Sequence, residues 1–151
     1  MTWHGAGALT ARDFSEFFRE VHGRSPFPWQ QALLDRVCEG GWPELIDVPT
    51  GLGKTAVLDV AVFLSAMRSV HARRRVFLVV NRRLIVDQAH EEAMQIRRAI
   101  DEAADGTVCA RVQKELSVAG DDSSSPLDVT RMRGGLTGRG CGLSALTATR
   151  L

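Results

Sequence analysis

The sequence predicts an α/β fold, a parallel sheet flanked by helices in the doubly wound manner. Three observations predict it. Short apolar runs alternate with segments of helical period. A Gly-rich loop, Pro49-Thr-Gly-Leu-Gly-Lys-Thr55, stands between a strand-type run and a helix-type run. Val76-Phe-Leu-Val-Val80 is apolar without a break, as a central parallel strand covered on both faces requires. Three candidate strands are fewer than a complete sheet of this class carries, so the chain reads as the first part of such a domain.

Each element follows from its spacing. Phe14, Phe17, Phe18 and Val21 recur at i, i+3, i+4 and i+7, which is one face of a helix, with Thr10 or Asp13 placed to cap it. Pro26 and Pro28 then force a turn. A second short helix fits Trp29 to Cys38, stopped by Gly40-Gly41. Leu45-Ile-Asp-Val48 is a β-type run leading into the Gly-rich loop. Ala56 to Met67 is apolar nearly all round, as a buried helix is. After the Val76–Val80 strand, Arg83 to Ala104 reads as a helix with Leu84, Val86, Ala89, Ala93, Ile96 and Ile100 on one side. A weaker helix covers Thr107 to Val118. Gly120 to Pro126 is loop by composition, and Leu127 to Met132 is a further strand. From Leu136 onward the pattern fades. This divides the chain into N-terminal helices (1–43), a partial α/β domain (44–135) and an irregular tail (136–151).

Composition excludes several classes. The chain has 151 residues, 44% hydrophobic and 25% charged, with a net charge of +1. That is one ordinary globular domain without a global basic field. Three cysteines without CxxC spacing argue against a disulfide framework or zinc knuckle and suit a reducing cytoplasm. No apolar run is long enough to span a membrane, because Asp59 interrupts the most hydrophobic stretch. The four histidines are scattered and read as surface residues rather than metal ligands.

The Gly-rich loop carries the chemistry. Between a strand and a helix, Thr50, Gly51, Leu52 and Gly53 let backbone N–H groups turn toward a triphosphate. Lys54 is placed to reach the β- and γ-phosphates of ATP, and the Thr55 hydroxyl to ligate Mg²⁺. Of the 19 basic residues only Lys54 and Lys114 are lysines, so an ammonium at position 54 stands out in a chain that otherwise uses arginine. The strict pattern G-x-x-x-x-G-K-[ST] asks for glycine where this chain has Val48. That departure argues against a nucleotide kinase or small GTPase.

The Pro-Thr-Gly-x-Gly-Lys-Thr form resembles motif I of superfamily 2 helicases, two-domain RecA-like motors. Phe27-Pro-Trp-Gln30 is similar to their Q motif, which implies that the Gln30 amide reads the adenine edge. Val79 to Ala89 is similar to motif Ia, which implies that Asn81, Arg82 and Arg83 contact a nucleic-acid phosphate. Arg131-Met-Arg-Gly-Gly135 looks like motif Ib, with Arg133, Gly134 and Gly135 at a second phosphate. Together, from about Phe14 to Gly135, these segments resemble the start of the CRISPR-associated helicase–nuclease of type I systems, in the helicase-first form (subtype I-U/I-G). The resemblance implies a partial RecA-like P-loop NTPase domain. It further implies ATP and Mg²⁺ as cofactors, single-stranded DNA and a Cascade-type surveillance complex as partners, and a cytoplasmic setting with no membrane.

Parts of such a motor are missing from the sequence. Leu84-Ile-Val-Asp-Gln-Ala-His90 imitates a strand and DEAH box, but it follows Lys54 too closely, has Gln for the water-activating Glu, and fits the motif Ia helix better. No Asp-Glu pair follows an apolar run, and there is no His-Asp dipeptide for a nuclease metal site. The expectation is therefore a truncated, N-terminal piece that binds nucleotide weakly and does not turn it over. A non-catalytic module for nucleotide or nucleic acid is the alternative; it requires the tail to complete the sheet. A fragment of another superfamily 2 helicase is the third.

Overall fold

The structure is a computed structural model that describes residues 8–73, 75–79, 83–119, 125–132 and 146–150. Its helices are α1 (Phe14–His22), α2 (Pro28–Gly40), α3 (Val57–Ala66), α4 (Arg83–Asp101) and α5 (Val108–Ala119). Its strands are β1 (Arg75–Val79), β2 (Asp128–Met132) and β3 (Leu146–Arg150). Single 3-10 turns precede α1 at Ala11–Asp13 and α3 at Lys54–Ala56.

The helices form where the periodicity places them. Phe14, Phe17, Phe18 and Val21 all turn inward from α1. Gly23 ends that helix at φ +69°, its N–H bonded to the Arg19 carbonyl. Pro28 opens α2, where its missing N–H costs nothing. Phe14 and Phe17 pack against Phe63 of α3, with ring centroids 5.5 and 5.3 Å apart. Leu34, Leu64, Ile96, Ile100 and Leu127 complete the same core. In α4 the expected face is buried from Val86 to Ile100, but Leu84 is 69% exposed. It lies in the first turn, where the helix has not yet reached the core.

The sheet differs from expectation in three ways. Its order is β1-β3-β2, and β3 pairs antiparallel with both neighbours. β1 and β2 therefore run the same way, yet they are not bonded to one another; the described pairings contain no parallel ladder. Residue patterning has a period of two in either direction, so it fixes which face a strand buries and not the sense of its neighbour. Secondly, β1 is an edge strand rather than a central one, and its Phe77 and Val79 are each 52% exposed. Thirdly, β3 lies within the segment expected to be irregular. Leu45–Val48 in turn forms no strand among the described residues. The helix α4 packs across all three strands.

Candidate nucleotide-binding site

The Gly-rich loop leads directly into the 3-10 turn Lys54–Ala56 and then α3. Gly51 and Gly53 both take positive φ, +88° and +66°. A side chain at Gly51 would meet open space. At Gly53 an added Cβ would stand 3.1 Å from Gln30 Nε2 and against the Phe27 ring. Glycine is thus required twice at position 53, for its backbone angle and for the close approach of α2. Thr50 and Lys54 are exposed and Thr55 is half-buried. Among the described residues Lys54 has no carboxylate partner, so its ammonium is left for an external anion.

The start of α2 grips this loop. Gln30 is fully buried; its Oε1 accepts the Phe27 N–H at 2.9 Å, which caps α2, and its Nε2 donates to the Gly53 carbonyl at 3.2 Å. Trp29 Nε1 donates to the Leu52 carbonyl at 2.9 Å. The expected role of Gln30 was to read an adenine edge. In this structure its amide is turned to the loop and closed to solvent, so it serves as a brace between α2 and the loop.

Beneath the loop, α3 is tied to α1. Asp59 is wholly buried, and its Oδ1 lies 2.8 Å from His22 Nε2, while Oδ2 has no partner among the described residues. Burial pushes the Asp59 carboxyl above its ordinary range, and the hydrogen bond from His22 pulls it only part of the way back. His22 also stacks on Phe18, with centroids 4.3 Å apart. It is therefore a structural partner and not the surface residue the sequence suggested. Glu20 reaches the N-terminus of α5, where its two oxygens accept the Val108 and Cys109 N–H groups at 3.0 and 2.7 Å. Burial, reinforced by Glu20, holds the Cys109 thiol protonated far above its usual range. None of these links was marked by local spacing.

The remaining predicted residues divide as follows. Asn81, Arg82, Arg133, Gly134 and Gly135 lie outside the described residues, and Arg83 is placed only as the first residue of α4. Asp87 of the DEAH-like segment is in α4 and bonds Arg131 of β2 at 2.8 Å, which is a helix-to-sheet ion pair and not a metal site. Among the described residues no group of three His, Cys, Asp or Glu side chains could hold a metal, and no helix is long and apolar enough to cross a membrane.

A Gly-Lys-Thr loop at the start of a buried helix, together with the match of residues 24–131 to a family model, marks a RecA-like ATP-binding domain of the superfamily 2 helicase kind. A family model described as type III restriction enzyme, res subunit, matches residues 24–131, and the chain belongs to that family. The matched span takes in Phe27–Gln30, the phosphate loop and α3 through all but the last residue of β2. It reaches the helicase class of hydrolases and does not distinguish a CRISPR-associated subtype. No curated protein and no solved structure matched the chain.

Proposed function

We propose that this chain is the N-terminal, ATP-binding part of a CRISPR-associated DNA helicase–nuclease. The parent protein would couple hydrolysis of Mg²⁺-bound ATP to translocation on single-stranded DNA, in the cytoplasm and on a Cascade-type surveillance complex. The observation that carries nucleotide binding is the exposed Lys54, with no carboxylate partner among the described residues, beside a loop braced by Gln30 and Trp29. In this reading Lys54 binds the β- and γ-phosphates, and Thr55 holds Mg²⁺ through the nucleotide. Thr50, Gly51, Leu52 and Gly53 wrap the phosphates. The step toward CRISPR function rests on the likeness of the Phe27–Gln30, Asp47–Thr55, Val79–Ala89 and Arg133–Gly135 segments to that group. Asn81, Arg82, Arg83, Arg133, Gly134 and Gly135 are its proposed DNA-phosphate contacts. The chain itself binds nucleotide weakly and does not turn it over, since no Asp-Glu pair follows an apolar, strand-type run.

A second reading, a non-catalytic nucleotide-binding module, is favoured by β3. This strand bonds both β1 and β2, so the tail joins the sheet as such a module requires.

Titration of the full chain with a fluorescent ATP analogue and Mg²⁺ tests the first reading. Binding should weaken about tenfold or more in Lys54→Ala, since a charge-assisted contact contributes about 1.5–3 kcal/mol. Binding that ignores this substitution overturns the site. Steady-state ATPase activity abolished by the same substitution overturns the claim that the chain does not turn over.

A further inference from the structure

We propose that Trp29 is a positioning residue for the nucleotide phosphates, acting through the loop carbonyl that it holds. This rests on the nucleotide-binding reading above. The indole N–H donates to the Leu52 carbonyl at 2.9 Å, from the first turn of α2. A trans peptide sets its C=O and N–H on opposite sides of the chain, and none of the described peptides is cis. With the Leu52 carbonyl turned to the indole, the Gly53 N–H faces away from α2. The next peptide is held the same way: the Gly53 carbonyl accepts from Gln30 Nε2 at 3.2 Å and from the Ala56 N–H at 3.1 Å, so the Lys54 N–H also faces away. Among the described residues neither N–H has a hydrogen-bond partner within the fold. Two successive free N–H groups beside the exposed Lys54 ammonium form a concavity of positive charge, which is the arrangement that binds phosphate oxygens. The left-handed Gly53, at φ +66°, is what lets both planes turn. Gln30 fixes the second plane and Trp29 fixes the first. Without the indole donor the Leu52–Gly53 plane is free to rotate, and the ordering must then be supplied when the ligand binds.

The test replaces Trp29 in the full chain with 3-benzothienylalanine, which keeps the shape of the ring and puts sulfur in place of the N–H. Trp29→Phe is the second variant. The probes are MgADP and inorganic pyrophosphate, followed by calorimetry and by the amide resonance of Gly53. In the isostere both affinities should fall by the same factor, about three- to tenfold, the loss expected for one hydrogen bond. The Gly53 resonance should shift with pyrophosphate in the wild type and shift less in the isostere. The thermal midpoint of the isostere should stay near wild type, and Trp29→Phe should repeat the affinity loss. Unchanged affinity for both probes in the isostere overturns the proposal, as does a lowered midpoint with the Gly53 shift intact, which marks Trp29 as packing alone. A wild type whose MgADP binding does not depend on Lys54 overturns the nucleotide site itself and this role with it; Lys54-dependent binding that the isostere leaves intact overturns only the role of Trp29.

Discussion

His22 and Asp59 are 37 residues apart in sequence and 2.8 Å apart in the fold, and their bond joins α1 to the helix that follows the phosphate loop. The carboxylate is completely buried, with one oxygen unpartnered among the described residues. The position of α3 is therefore set partly by a polar contact inside an aromatic core. Removing His22 leaves the buried carboxyl without its hydrogen-bond partner, which costs about 1–3 kcal/mol. His22→Ala should lower the urea midpoint accordingly, and a loss below about 1 kcal/mol would show that the pair is not a structural link.

The same carboxyl gives stability a pH dependence whose sign is fixed. Burial raises the folded Asp59 above its ordinary 3.8, so the folded state holds the proton more tightly than the unfolded chain does. Its contribution is complete below 3.8 and is lost as pH rises toward the folded value. Asp59→Asn should remove that slope. Urea midpoints of both proteins across the acidic range check this, and parallel curves would refute it.

Asp13 has the opposite sign. Burial pushes its carboxyl up, but the Arg111 guanidinium and the hydrogen bonds from Thr10 outweigh burial and hold it below 3.8. Its contribution is present above 3.8 and is lost as pH falls through the lowered folded value. Asp13→Asn should be less stable at neutral pH and should lose less on acidification, as read from thermal midpoints over the same range.

The two loop glycines should respond unequally. Alanine at either position takes on the left-handed penalty of about 1–2 kcal/mol. At Gly53 it also meets Gln30 Nε2 at 3.1 Å and loosens the brace, whereas Gly51 has open space. Gly53→Ala should lose more stability and more MgADP affinity than Gly51→Ala, and equal losses would mean that the approach of α2 is unimportant.

Glu20 caps a helix that begins 88 residues later in sequence. Glu20→Ala leaves the Val108 and Cys109 N–H groups without their acceptor, at a cost of about 1–3 kcal/mol. Hydrogen exchange should quicken first in α5, and uniform quickening across all helices would instead mean that Glu20 acts on global stability.

The helices, the phosphate loop and their order are legible in residue spacing. The Phe14–Val21 stripe, the apolar 56–67 segment and the Gly51, Gly53, Lys54, Thr55 set are local codes, because helical period, positive φ and a helix start depend on neighbours within a few residues. The sense of the strands, the edge position of β1, the inward turn of Gln30 and the pairing of His22 with Asp59 emerge only from packing. Backbone hydrogen bonds are indifferent to residue type, so patterning cannot say which strand sits beside which or in what direction. A polar side chain shows in sequence that it needs a partner but not where the partner lies; only packing brought Asp59 to His22, Gln30 to the Gly53 carbonyl and Glu20 to α5.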